Sequence, residues 1–122
     1  MNRPTRQEQA QAILERRAWK LASQTLGRRA RNISDFEEAF NLERIDLISE
    51  IPTPEAMLAL GRNVVGPRDG LYVLDEPGGY RVYLQERGEE YGTVTGATFD
   101  QARDAVIDAL IRLDGVPFEP PG

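Results

Sequence analysis

The stretch LYVLDEPGGYRVYLQERGEEYG, residues 71–92, decides the fold class. Apolar and polar residues alternate along it, which is the period of a half-buried strand. Pro77-Gly78-Gly79 interrupts the alternation and predicts a hairpin turn. The residues expected to share a face are Leu71 and Val73 in the first strand and Tyr80, Val82 and Leu84 in the second.

A third strand and a helix are predicted to complete this half of the chain. The strand, about Tyr91–Thr95, pairs back across the turn at Gly88. FDQARDAVIDALIRLD, residues 99–114, has a broad apolar stripe at helical spacing, with Asp100 as its expected N-cap. Three strands form a stable sheet when a helix covers one face. The sequence therefore predicts a three-stranded antiparallel sheet with a C-terminal amphipathic helix packed on one face.

Residues 5–62 are predicted to be mainly helical, which makes the class α+β. Residues 5–26 contain no glycine or proline and have apolar residues at spacings of three and four, so one helix is expected there, ending at Gly27. Ser34 and Glu37 fit a capping box for a second helix. Residues 42–49 fit either a helix or a short strand, and Pro54 opens a further short helix.

The length of 122 residues fits a single domain, 1–122. Within it we expect the helical part at 5–62, the sheet and C-terminal helix at 66–114, and an extended surface tail at 115–122. No apolar run approaches the roughly 20 residues that span a bilayer, and the N-terminus lacks the apolar core of a secretory signal. We therefore expect a cytoplasmic protein without a membrane partner.

Histidine and cysteine are both absent, which excludes imidazole bases, thiolate nucleophiles and the usual zinc sites. No carboxylate spacing matches a calcium loop, and no glycine-rich phosphate loop is present. The sequence thus favours a protein that is not an enzyme. We expect no catalytic residue, no metal site and no cofactor.

The charge is divided unevenly along the chain. Residues up to Arg31 include eight basic and two acidic residues, whereas the remainder includes seven basic and 18 acidic ones. This division favours either nucleic-acid contact by the basic arm or an acidic body that binds a basic partner. Arg28, Arg29 and Arg31 follow a predicted helix end, where cations offset the helix dipole, and no aromatic residues are interleaved with them. Nucleic-acid contact is therefore the less favoured alternative.

Residues 86–90, Glu-Arg-Gly-Glu-Glu, place four charges around the predicted turn at Gly88. Charged hairpin turns are common, because they keep a sheet from pairing with another chain. The alternative is an exposed recognition loop on a rigid sheet, since binding residues concentrate in such loops. Residue chemistry alone leaves both open.

A resemblance favours recognition. Tyr80-Arg81-Val82-Tyr83, Glu86-Arg87-Gly88, Phe99 and Ala105 resemble the pattern W-x-V-Y-x-x-E-R-G … F-x-x-x-x-x-A of immunity proteins from bacterial polymorphic and contact-dependent toxin systems. The resemblance covers about residues 66–113, with Tyr80 where the pattern favours Trp and Asp104 as the only acidic neighbour before Ala105.

Membership of that group implies a protein that neutralises a cognate toxin domain by occluding its active site or substrate groove. An acidic surface suits a basic nuclease among such toxins. The residues expected to bind the partner are Asp75, Glu76, Glu86, Arg87, Glu89 and Glu90.

Two alternatives remain open on the sequence. The first is a small DNA-associated regulator that uses the basic N-terminal helix. The second is an oligomeric interaction module, in which Ile107 and Ile111 would form the seam. The oligomeric state is not specified by the sequence.

Overall fold

The computed structural model describes residues 2–122, which form six helices and three strands of an α+β fold, as predicted. The helices are α1 (Arg6–Leu14), α2 (Ala18–Leu26), α3 (Ile33–Ala39), α4 (Arg44–Ser49), α5 (Pro54–Leu58) and α6 (Phe99–Leu113). The strands are β1 (Gly70–Glu76), β2 (Gly79–Glu86) and β3 (Glu89–Ala97). None of the helices in residues 2–122 is long and apolar enough to cross a membrane.

The chain divides into two compact units. The helical unit comprises the residues up to Glu50 together with Ile111–Gly122, and the sheet unit comprises Ile51–Leu110. The boundary therefore falls once before α5 and once within α6. The expectation of a single domain stays a prediction.

The single helix predicted over residues 5–26 is wrong, because the chain forms two helices there. Arg16 has a φ of 60°, in the left-handed region. The N–H of Arg17 donates to the Ala12 oxygen, and that of Arg16 to the Ile13 oxygen. This pattern is a Schellman motif, which ends α1 with arginine at the position that glycine usually occupies. Gly27, with a φ of 70°, ends α2 as predicted.

The next helices begin close to the predicted points. α3 is capped by Asn32, whose side chain accepts a hydrogen bond from the Asp35 N–H, so the capping box predicted at Ser34 is wrong by two residues. Residues 44–49 are helical, so of the helix and the short strand that fit residues 42–49 the structure has the helix. α5 begins at Pro54 as predicted, with Thr53 as its cap.

The sheet has the order β1-β2-β3, and both pairs are antiparallel. The register places Leu71 opposite Leu84 and Val73 opposite Val82, so the predicted faces are confirmed. β3 is longer than expected and contains irregular pairing near Gly92 and Gly96, both at positive φ. Such bulges increase the local twist of an edge strand.

α6 packs against the sheet, as predicted. Its N-cap is Thr98, not Asp100, because the Thr98 hydroxyl accepts from the Gln101 N–H while the Gln101 side chain accepts from the Thr98 N–H. Asp100 instead forms an ion pair with Arg103. Ile107 is fully buried and Ile111 is 7% exposed within the single chain.

The opposite face of the sheet is also buried, which the alternating pattern did not predict. Tyr72, Leu74 and Tyr83 form a buried cluster there. The rings of Tyr72 and Tyr83 stack with 4.9 Å between their centroids. Side chains on both faces of β1 and β2 are therefore buried.

The C-terminal tail has no helix or strand, and Pro117, Glu119, Pro121 and Gly122 are exposed. Val116 and Pro120 are buried. The ring of Phe118 lies 6.1 Å from that of Phe36, and the Pro121 oxygen accepts a hydrogen bond from the Arg44 N–H. The tail is thus anchored to the helical unit at Val116, Phe118 and Pro120.

Candidate functional site

The turn between β2 and β3 consists of Arg87 and Gly88, which both have positive φ, at 52° and 80°. This is the geometry of a two-residue type I′ turn, whose twist matches that of the flanking strands. The turn predicted at Gly88 is confirmed. Arg87 occupies the turn position that asparagine or glycine usually fills, at a cost in backbone strain.

Asp69 holds this turn in position. Its carboxylate accepts a hydrogen bond from the Arg87 N–H at 3.1 Å. Sequence reasoning missed Asp69. The register of the hairpin contained the signal, because Gly70 lies opposite Gln85 and places the preceding residue beside the end of β2.

The loop before β1 is bound to the sheet beneath the turn. The hydroxyl of Tyr72 and the side-chain amide of Gln85 both contact the carbonyl oxygens of Gly66 and Arg68. Gln85 is only 7% exposed. Because buried polar groups of this kind fix one arrangement of the chain, the turn sits on a rigid support.

Glu90 is engaged within the sheet and is not a free surface charge. Both of its carboxylate oxygens accept from Arg81 Nη2, at 2.7 Å each. The Arg81 guanidinium lies over the Tyr83 ring, 4.9 Å from its centroid. The hydrogen bond from Arg81 to Glu90 raises the pKa of that arginine, while burial, followed by the charge of Glu90, raises the pKa of Tyr83.

The six predicted binding residues fall into two groups. Glu86, Arg87, Glu89 and Glu90 lie at the turn between β2 and β3, whereas Asp75 and Glu76 lie beside the other hairpin turn. β2 is eight residues long, so its two ends are about 23 Å apart at the usual rise per residue. We name the exposed residues Glu86, Arg87 and Glu89 the tip.

The outer edge of β3 continues from the tip. No other strand in residues 2–122 pairs with this edge, and Ala97 is the one buried residue of β3. Tyr91 is 36% exposed, and its hydroxyl donates to the Glu89 carboxylate at 2.9 Å. The outer edge of β1 is different, because Arg62 exchanges backbone hydrogen bonds with Leu71 and Val73 there.

Several cations of the basic arm are neutralised within the helical unit. Arg6 pairs with Asp46 at 2.8 Å, Arg28 with Asp35 at 2.8 Å, and Arg17 with Glu15 at 3.4 Å. Lys20, Arg29 and Arg31 instead line one pocket beside Trp19. Three cations of the basic arm therefore lie together at this pocket in the folded protein.

Comparison with known proteins finds no match: no protein-family model, no curated protein and no solved structure is similar to this chain. No cluster of three or more carboxylates within residues 2–122 could hold a metal ion.

Proposed function

We propose that this protein is an immunity protein that binds a cognate toxin domain and occludes its active site or substrate groove. The observation that supports this most is the tip, whose two exposed glutamates flank a turn that Asp69 fixes, at the start of a strand with an unpaired outer edge. The resemblance of about residues 66–113 to immunity proteins supports the same function. Such a protein would act in the cytoplasm, where the toxin acts.

The tip is suited to recognising a basic surface. Glu86 and Glu89 are exposed and lie directly opposite each other across the turn. The hydrogen bond from Arg87 to Asp69 orders the turn before binding, so little conformational entropy is lost when a partner docks. The tip has a net negative charge, from Glu86 and Glu89 against Arg87, and such a charge steers a positively charged partner and raises its association rate.

The edge of β3 extends the proposed interface beyond the tip. The unpaired edge of a strand presents backbone N–H and C=O groups that a partner chain can bind. Tyr91 adds a partly exposed aromatic side chain, the type that dominates binding energy in many interfaces. We therefore place the centre of the interface at Glu86, Glu89 and Tyr91.

The other predicted residues have smaller parts in this proposal. Glu90 is already paired with Arg81, and Asp75 and Glu76 lie at the opposite end of β2. In this proposal Glu90 stabilises the sheet and does not contact the partner. Asp75 and Glu76 serve as a matched control for the tip, because they carry the same charge and are also exposed.

The experiment first captures the partner and then measures its affinity. Tagged protein retains its partner from cells of the source organism at low salt, and mass spectrometry identifies the retained protein. Calorimetry then compares wild type with Glu86→Lys/Glu89→Lys and with the control Asp75→Lys/Glu76→Lys. We expect the tip variant to bind about 10- to 100-fold more weakly and the control to bind nearly as wild type does. If the folded tip variant binds the partner as tightly as wild type does, the tip is not part of the interface.

A further inference from the structure

A pocket in the helical unit lies between α2 and the loop that follows it. Its volume is about 590 Å³, which is within the range of ligand-binding pockets. Six residues line it, and three of them are cations while none is acidic. They are Trp19, Lys20, Ser23, Arg29, Ala30 and Arg31.

The loop that presents Arg29 and Arg31 is fixed at several points. The Ser23 hydroxyl accepts a hydrogen bond from the Ala30 N–H at 3.0 Å. The Asp35 carboxylate accepts from the Arg31 N–H at 2.7 Å and from the Arg28 side chain at 2.8 Å. The backbone on either side of Arg29 is therefore held in place before any ligand arrives.

Trp19 forms a fixed aromatic wall of the pocket. Its indole N–H donates to the backbone carbonyl oxygen of Asp114 at 2.9 Å, and its ring packs edge-to-face against Phe36 with 4.5 Å between centroids. The ring is partly exposed. The sequence has no aromatic residue among Arg28, Arg29 and Arg31, but the fold brings Trp19 to the pocket that Arg29 and Arg31 line.

The three pocket cations form no ion pair within residues 2–122, in contrast to Arg6, Arg17 and Arg28. Three positive charges around one pocket give it a positive potential, which attracts an anion. The dipole of α2 favours cations near its end, but it does not require them to converge beside an aromatic ring. Charge complementarity thus points to an anionic ligand.

We propose that this pocket binds a nucleotide unit, with its phosphate groups contacted by Lys20, Arg29 and Arg31 and its base packed against Trp19. Arginine and lysine are the usual phosphate ligands, and bases pack favourably on aromatic side chains. The unit is either a free nucleotide or one residue of a single strand, since both present the same chemistry. This inference is independent of the proposed toxin binding.

Fluorescence provides a direct test, because Trp19 is the single tryptophan of the chain. ATP and an unlabelled oligothymidylate are each titrated into the full chain at low salt, and the fluorescence emission of Trp19 is followed. We expect saturable quenching. Arg29→Ala and Arg31→Ala should each weaken the affinity about tenfold, since each removes a charge-assisted phosphate contact. Arg68→Ala, which removes an exposed arginine from the sheet unit, should leave the affinity unchanged.

The two probes distinguish the two sources of the nucleotide. Tighter binding of the oligonucleotide, with a logarithmic salt slope that falls by about 0.7 for each arginine removed, supports a nucleic-acid strand. Comparable or tighter binding of ATP supports a free nucleotide. The absence of saturable quenching by either probe at millimolar concentration would overturn the proposal, and so would an equal loss of affinity in Arg68→Ala. Circular dichroism of each variant confirms that it is folded.

Discussion

The Asp35 carboxylate and the Arg28 guanidinium form an ion pair, with 2.8 Å between Oδ1 and Nη2. Asp35 is 4% exposed, and its second oxygen accepts from the Arg31 N–H. The hydrogen bond from Arg28, followed by that from Arg31, lowers the pKa of Asp35 to about 2. This carboxylate therefore joins α3 to the loop that lines the basic pocket.

The low pKa of Asp35 predicts how stability depends on pH. The pKa is about 2 in the folded chain, below its ordinary value of 3.8. The ionised carboxylate thus contributes stability that is fully present above about pH 4 and is lost as the pH falls toward 2. Asp35→Asn removes this contribution. Urea unfolding of both proteins should show a stability difference at pH 6 that shrinks below pH 4, whereas a difference independent of pH would contradict the assignment.

Gln9 is predicted to be essential for the helical unit. It is fully buried, and its side-chain oxygen accepts from the N–H groups of Asn41 and Leu42 at 2.8 and 2.9 Å. Its amide donates to the Pro4 oxygen and to the Asn41 side chain. Gln9→Leu leaves these groups without partners and should lower the free energy of unfolding by about 3–5 kcal/mol. Gln7→Leu, an exposed change in the same helix, should change it by less than about 0.5 kcal/mol in chemical denaturation.

Gly78 in the first hairpin turn and Gly79 at the start of β2 should respond differently to alanine. A Cβ at Gly79 would lie 2.5 Å from the Gly96 carbonyl carbon, on backbone that must move. Gly79→Ala should therefore lower the free energy of unfolding by about 3 kcal/mol or more. Gly78 has a φ of 92° with open space around it, so Gly78→Ala should cost only about 1 kcal/mol. Similar losses in thermal unfolding would show that β2 and β3 are not packed so closely.

Arg16 offers a stabilising substitution. Because its φ of 60° lies in the left-handed region, Arg16→Gly should relieve strain and raise the free energy of unfolding by about 0.5–1 kcal/mol. The matched change Gln24→Gly, in the interior of α2, should lower it by about 1 kcal/mol. Denaturant midpoints of both variants measure this. A destabilised Arg16→Gly would mean that the arginine side chain contributes more than its backbone strain costs.

Local patterns predicted the elements whose signals are local. The hairpin, the faces of its strands and α6 follow from periodicity and from turn residues, and Pro54 and Gly27 mark helix ends that the structure confirms. The break after Leu14 could not be predicted in this way. The N–H of Ala18 donates to the carboxylate of Asp114, 96 residues away, so a distant residue supports the start of α2.

The candidate sites show the same limit. The charges of residues 86–90 were visible in the sequence, but the attachment to Asp69 and the pairing of Glu90 with Arg81 depend on how strands align. Likewise, the arginines after α2 were visible, but their approach to Trp19 depends on the fold of the loop. Tertiary contacts therefore decided which charges remain available for a partner.

The most direct test of the proposed function is growth protection. The captured toxin domain is expressed in a host that also produces wild type, Glu86→Lys/Glu89→Lys or Asp75→Lys/Glu76→Lys at equal levels. We predict that wild type and the Asp75/Glu76 variant restore growth, while the tip variant leaves it arrested although it is folded and abundant. Full protection by the tip variant, or arrest in the presence of wild type, would contradict the proposal.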